Sequence, residues 1–420
     1  MRILILSNLF PPYIKGGYEL ACRNVAIGLV KRGHTVEVLA AHAPMPTPED
    51  PEWLRRVFAL RAFDPVAPHT GDLIEAKDYE ASASQYANTA VLLDRVHTFR
   101  PDLVYAWHIW GIGGLALLDL CELVGVPWVL HLMDCVPTYL LSAVAPLAAS
   151  LFARDHASLL TRGRFISMSS QIVTEIKLTT GVSFDRPPDF IPGWVDATGL
   201  AQRTEYIQSG QLRLVTAGSL GTHKGTDIIL KACALLLARA ATSFHVDIFA
   251  LNDTGPWVTE AARLGLQKHV SFHSSRTQAD LLAVLHQYDA FLFPTQEREP
   301  FGFAAIEAAA CGAIPIITRN AGVAERLVDG VHALKIDRTP DSLANAIQLL
   351  LDGEVDAATI GRRAARLVRR DFSFARCLDR IEATLEVVPR TSYLATLEEP
   401  RLRVAIFAKH ALGQLLTAYR

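Results

Sequence analysis

The sequence predicts an α/β protein built from two doubly wound, Rossmann-like domains, on three observations. Short apolar runs of strand length alternate with stretches of helical periodicity along the chain. The alternation restarts near residue 212, after a polar stretch at 202–211 that reads as a junction between domains. The chain has 420 residues, half of them hydrophobic and a fifth charged, which exceeds one ordinary core and suits two domains of about 200 residues each. The predicted organisation is an N-terminal domain over 1–197, a hinge over 198–211, a second domain over 212–388 and an amphipathic tail over 389–420.

Composition narrows the function. The balance of 41 basic against 43 acidic residues, a net charge of −2, argues against wholesale nucleic-acid binding. Cys22, Cys121, Cys135, Cys233, Cys311 and Cys377 are scattered, with no Cys-x-x-Cys pair and no histidine at ligand spacing. That is the pattern of reduced, buried thiols in a cytoplasmic protein and not of a metal centre. The apolar run at 3–6 is too short for a signal peptide and reads as a first strand. The longest apolar stretch, 139–152, is broken by Ser142, Pro146 and Ser150, short of the ~20 residues a membrane-spanning helix needs.

In order, residues 2–7 form the first predicted strand, and a loop bearing Pro11, Pro12, Gly16 and Gly17 leads to a helix over 18–32 and a strand over 35–40. The glycine pair suits close approach of backbone to a ligand at a helix start, and a plain turn explains it equally. Residues 41–83, with Pro44, Pro46, Pro48 and Pro51, show no strong period and read as a substrate-specific segment. A helix over 85–99 and a strand over 102–106 follow, then Trp107, His108, Ile109 and Trp110 and a glycine-rich turn. Aromatic residues and a histidine past a strand's carboxyl end suit a sugar-binding wall, or ordinary packing at a domain edge. A strand over 126–130 ends at His131, with Asp134 three residues on. A strand over 164–168 precedes Ser169-Ser170, which caps a helix over 171–179.

The second half opens with a strand over 212–217 and the turn Gly218-Ser219-Leu220-Gly221-Thr222-His223-Lys224-Gly225-Thr226. A glycine-rich strand-to-helix turn with one lysine suits a phosphate: backbone amides enclose the oxygens and the ammonium adds a point charge. Further strands at 244–250, 269–273 and 289–293 lead to Glu299-Pro300-Phe301-Gly302-Phe303-Ala304-Ala305-Ile306-Glu307, a loop entering a helix that Gly312 ends. A loop carboxylate suits sugar hydroxyls, the helix start a diphosphate, and Glu307 a second polyol such as ribose. The bland alternative is a surface loop and an Ala-rich core helix with two solvated acids. Arg362, Arg363, Arg366, Arg369 and Arg370 fall near one helical face, either solvated or suited to a polyanion. The amphipathic stretch 402–420 either packs back on the N-terminal domain or lies on a membrane surface.

Two acids with seven residues between them, Lys224-Gly225, the early Gly16-Gly17 loop and the segment 191–196 together resemble the signature of the retaining GT-B fold glycosyltransferases of the family-4 (group 1) class. The resemblance covers nearly the whole chain. It implies two Rossmann-like domains facing across a cleft and transfer of a sugar from a nucleoside diphosphate sugar to a hydroxyl acceptor, with retention. It implies no cofactor, and the lack of an Asp-x-Asp motif at a strand end fits catalysis without a metal. His131, Lys224 and Glu299 would be catalytic. Gly16, Gly17, Ser219, Phe301, Gly302, Phe303 and Glu307 would join Lys224 around the donor, and His108, Trp110 and Asp134 would line the acceptor side. Three departures stand out: Ser219 where an arginine is usual, Leu132-Met133 between His131 and Asp134, and Gly193-Trp194 in place of Asn-Gly. The rival readings are a nucleotide-sugar epimerase or phosphorylase on the same fold, and a non-catalytic nucleotide-sugar-binding protein.

Overall fold

The computed structural model describes residues 1–14, 16–42, 50–60, 83–142, 156–207, 210–295 and 299–388. Its described residues divide into two compact units, the first comprising Met1–Ile191 and the residues from Leu378 to 388, the second Pro192–Cys377.

The first unit holds a seven-stranded sheet of β1 (Arg2–Ser7), β2 (Thr35–Ala41), β3 (Leu54–Phe58), β4 (Leu103–His108), β5 (Trp128–Leu132), β6 (Arg164–Ser167) and β7 (Asp189–Phe190). Their order is β3-β2-β1-β4-β5-β6-β7, with every neighbouring pair parallel. Parallel sheets are covered on both faces, which is why their strands read as continuous apolar runs; Ile3, Leu4, Ile5 and Leu6 are all fully buried. β3 lies in the stretch that showed no period, because Arg55 and Arg56 break its apolar run and leave only Leu54 and Phe58 buried. The chain builds outward from β1 to β3, then reverses to add β4 on the other side. Carboxyl ends of neighbouring strands diverge at such a switch point and open a crevice there.

The second unit repeats the plan with β8 (Leu212–Gly218), β9 (Phe244–Ala250), β10 (Val270–His273), β11 (Ala290–Phe293), β12 (Ile314–Thr318) and β13 (Leu334–Ile336). The order is β10-β9-β8-β11-β12-β13, again wholly parallel, with the switch between β8 and β11. On one face Leu214, Val246, Ile248, Leu292 and Ile316 pack with residues of the helices Thr226–Ala238 and Pro340–Leu351 in one buried cluster.

The boundary between the units differs from the expected hinge. The chain enters the second unit at Pro192, and residues beyond it are fastened there. The Val195 amide donates to the Phe372 carbonyl at 2.9 Å, and the Arg203 amide to the Cys311 carbonyl at 2.9 Å. The Arg203 guanidinium is buried on Asp289, Nη2 to Oδ1 at 2.5 Å, and the same carboxylate accepts the amides of Ile207 and Arg213 at 2.7 and 2.8 Å. An ion pair with this many hydrogen bonds makes 203–207 part of the second unit, and the polar composition that suggested a linker is its surface.

The chain returns to the first unit within the helix Phe374–Glu386. There Arg32 pairs with Asp379 and Glu382 at 2.5 Å each, His34 meets Glu382 at 2.6 Å, and Thr384 donates to Asp189 at 3.1 Å. Among the described residues no helix is long and apolar enough to cross a membrane. The expected tail over 389–420 lies outside the described residues.

Candidate active site

In the second unit the loops after β8 and β11, the two strands at the switch point, are locked to each other. Gly225 has φ +76, and a Cβ there would stand 2.0 Å from the Pro294 carbonyl oxygen, so only glycine lets the two loops meet. The Thr295 hydroxyl donates to the His223 carbonyl at 2.9 Å. This contact delivers Lys224 to Glu299, with Nζ 2.5 Å from Oε2. The pair is partly accessible, with side chains 39% and 15% exposed, so it faces a ligand-accessible surface and not the core. The Glu299 loop is held from behind, because its carbonyl accepts the Gly322 amide and the Phe301 carbonyl the Val323 amide, both at 2.9 Å.

Gly302, at φ +109, turns the chain into the helix Phe303–Ala310, and no side chain caps that helix. Its first amides, at the positive end of the helix dipole, are therefore available to an anion beside Lys224. Glu307 lies one turn further in and is buried, and burial raises its pKa above the usual glutamate value while a hydrogen bond from Gln278 works against that. Gln278 Nε2 donates to Glu307 Oε1 at 2.5 Å from the start of the helix Gln278–Leu285. Sequence reading missed Gln278, whose only signal was its place in the first turn of a helix after β10.

Two expected donor residues sit differently. Phe301 is 1% exposed and packs against Phe303 and Phe372 with centroids 5.4 and 6.2 Å away, so it supports the loop from the core and does not face a ligand. Phe303 is half-buried with its edge towards Trp194 at 6.2 Å. Ser219 is exposed just past the end of β8, where its hydroxyl is accessible.

In the first unit, Gly16 and Gly17 are exposed at the start of the helix Gly17–Lys31. The Gly16 amide donates to Glu19 Oε2 at 2.9 Å, and a Cβ on Gly16 would meet nothing within 4 Å. The next residue, Tyr18, organises this end of the sheet. Its hydroxyl donates to Asp134 Oδ1 at 3.0 Å and accepts the amides of Met133 and Asp134 at 3.1 and 3.2 Å. Asp134 also accepts the Val136 amide at 2.8 Å, yet burial outweighs these hydrogen bonds and lifts its pKa to about 6. The His108 ring stands edge-on to Tyr18 at 4.5 Å. His108, Tyr18 and Asp134 thus cluster at the carboxyl ends of β4 and β5, and Trp110 packs with Tyr13 against Leu9.

His131 is a correction. The apolar run suggested a strand ending before it, but β5 continues to Leu132 and the histidine lies inside the strand, fully buried. Its Nδ1 is hydrogen-bonded to the Tyr105 hydroxyl at 2.6 Å and its ring stacks on Trp107 at 4.2 Å. Burial lowers its pKa to about 3, so it is a neutral core group, and the residues that reach the end of β5 are Met133 and Asp134.

The model for glycosyl transferases group 1 matches residues 201–367, and that for a glycosyl transferase 4-like domain matches residues 16–186. The chain belongs to the group 1 glycosyltransferases. Their reaction is nucleotide-sugar-dependent glycosyl transfer, and the transferase described here is a hexosyltransferase of GT-B fold. It is 27% identical to a glycogen synthase of Mycobacterium tuberculosis over 396 residues, covering 89% of this chain and 92% of that protein. It is 26% identical to a D-inositol 3-phosphate glycosyltransferase of Pseudarthrobacter chlorophenolicus, covering 83% of this chain and 85% of that one. In fold it resembles Anabaena HepE in complex with UDP-glucose, at a TM-score of 0.65 and 19% identity over 92% of this chain and all of that one. It likewise resembles a sucrose-phosphate synthase from Thermosynechococcus elongatus, at 0.69 and 16% identity over 92% of this chain and 98% of that one. The transferase presents, in one unit, a lysine from the loop after β8 and a carboxylate and a helix start from the loop after β11. Among its described residues no group of three or more His, Cys, Asp or Glu is arranged to hold a metal ion.

Proposed function

We propose that the transferase moves a hexose from a nucleoside diphosphate sugar to a hydroxyl acceptor with retention of anomeric configuration and without a divalent metal. The observation that carries this is the Lys224–Glu299 pair at the uncapped start of the helix Phe303–Ala310. In a nucleoside diphosphate sugar the sugar adjoins the β-phosphate, so a cation and a carboxylate side by side match the donor's own order of groups. Lys224 and the Gly302 helix start hold the diphosphate and take up the charge that develops as it leaves. That is electrostatic work which a metal performs in other transferases. Glu299 holds donor hydroxyls beside the anomeric carbon, and Glu307, fixed by Gln278, holds the ribose. With retention and no protein nucleophile, the acceptor attacks on the face the diphosphate leaves.

The acceptor side belongs to the first unit, where His108, Trp110 and Asp134 stand at the sheet's carboxyl ends, and Gly16 and Gly17, in the loop after β1, serve the donor. The six cysteines, scattered in sequence without a Cys-x-x-Cys pair, suit a reducing cytoplasmic location. The deciding experiment combines a thermal-shift screen of nucleoside diphosphate sugars with proton NMR of the product formed from the best donor. The expected product has the donor's anomeric configuration and forms in EDTA. An inverted product, or activity that EDTA abolishes and magnesium restores, overturns the proposal.

A further inference from the structure

The helix Ala357–Asp371 carries five arginines and no lysine, and none of them serves the donor site. Four of the five, Arg362, Arg366, Arg369 and Arg370, line an open groove of about 450 Å³ together with Gln202. Their spacing of four, three and one residues puts them on one helical face. Arg369 is fixed: its guanidinium donates to the carbonyls of Ala310 and Leu200 at 2.9 Å each. Carbonyls orient the group without cancelling its charge. Arg370 pairs with Asp371 at 2.7 Å, an acid that Arg376 shares at 3.3 Å.

Arg362 and Arg366 are exposed, and among the described residues neither has a carboxylate within ion-pair distance. Asp356, which lies close enough to be influenced by Arg362, uses its oxygens on the Thr359 amide and hydroxyl at 2.9 and 2.6 Å. Of the four groove arginines only Arg370 is thus ion-paired among the described residues, and its carboxylate is shared with Arg376. Like charges gathered on one face repel, and a solvated surface gains nothing from using only arginine. The arginine fork is what distinguishes this face, because it binds phosphate oxygens two at a time where lysine acts as a point charge.

We propose that this groove is a second anion site, which takes a phosphate-bearing group on Arg362 and Arg366 over the fixed charge of Arg369. It shares no residue with the Lys224 loop. The phosphate can come from a soluble phosphorylated metabolite or from the headgroup of an anionic lipid, and the chemistry of recognition is the same.

The test is calorimetric titration of the full chain with sodium pyrophosphate, in the wild type, in Lys224→Ala, which removes the donor-side cation, and in Arg362→Gln/Arg366→Gln. Flotation with phosphatidylcholine vesicles, with and without phosphatidylglycerol, runs in parallel. Circular dichroism melting shows that the double variant, altered only at two exposed positions, is folded. Lys224→Ala is expected to keep a pyrophosphate site that the arginine substitutions weaken roughly tenfold or more, as loss of charge-assisted hydrogen bonds implies. Arginine-dependent binding of pyrophosphate alone identifies a soluble ligand. Arginine-dependent binding of phosphatidylglycerol vesicles identifies a headgroup. If the double variant matches the wild type in both assays, or if neither probe binds outside the Lys224 loop, the proposal is wrong.

Discussion

Lys224 and Glu299 are 2.5 Å apart, yet the two are expected to fail differently when changed. On the proposed assignment Lys224→Ala removes the cation on the leaving diphosphate, in a loop where Ser219 offers only a hydroxyl, and kcat is expected to fall about 100-fold, roughly 3 kcal/mol. Glu299→Gln is expected to lower kcat far more than it weakens binding of the free nucleotide, whereas Glu307→Ala acts mainly on donor affinity. Steady-state kinetics with calorimetry of nucleoside diphosphate binding separates these cases, and equal losses of affinity in the two glutamate variants would refute the assignment. The nearness of Lys224 to Glu299 was suggested in the sequence by two glycine-bearing strand-to-helix turns, each with a charged residue in its loop. Tyr18 and Gln278 were not, since each acts by holding another residue, and that is visible only in three dimensions. His131 was misread by the smallest of margins: a strand two residues longer than its apolar run turns a rim residue into a core one.

His131 and Asp134 also give opposite pH signatures. Burial lowers the histidine's pKa from 6.5 to about 3, so its contribution to stability is complete above 6.5 and is lost as pH falls towards 3. Burial raises the aspartate's from 3.8 to about 6, so its contribution is complete below 3.8 and is lost as pH rises through 6. Between roughly pH 4 and 6 the folded state holds one proton more at Asp134 and one fewer at His131, and the two slopes oppose each other. Asp134→Asn is expected to expose the histidine's slope, up to about 1.4 kcal/mol lost per pH unit of acidification. Urea denaturation at several pH values measures it, and an unchanged slope in the variant would count against the buried placement of either group.

At the scale of elements, the two glycine-bearing loops are built to different demands. Gly225→Ala must push Pro294 away or move the lysine turn, and it is expected to abolish donor binding and lower the melting temperature. Gly16→Ala has open space and an extended backbone, and the expected change in stability is within about 0.5 kcal/mol. Thermal melts with and without nucleoside diphosphate distinguish the two. The sequence showed glycine in both loops and could not show which one another backbone touches. Elements were legible where burial on both faces gives an unbroken apolar run, as in β1 and β11. β3 escaped because a short strand with two arginines in its middle has no such run.

For the whole molecule, the double restart of the α/β pattern was plain in the chain, while the place of division was not. A polar stretch reads as a linker, but one buried residue in it, Arg203, pairs with Asp289 and makes the rest the surface of the second unit. Arg203→Met leaves Asp289 charged and without its guanidinium, and is expected to cost about 3–5 kcal/mol in equilibrium unfolding of the second unit. Replacing both partners with well-packed apolar residues should recover much of that loss.

The return of the chain to the first unit at Leu378 bears on how the protein is made. Pro192–Cys377 is uninterrupted in sequence, so it can fold as soon as it has left the ribosome. The unit synthesised first cannot be completed until the helix holding Asp379 and Glu382 has emerged, since that helix supplies the partners of Arg32 and His34. Order of synthesis and order of completion are therefore reversed: the N-terminal sheet, whose last strand ends at Phe190, gains the helix Phe374–Glu386 only after the whole of the second unit has been made.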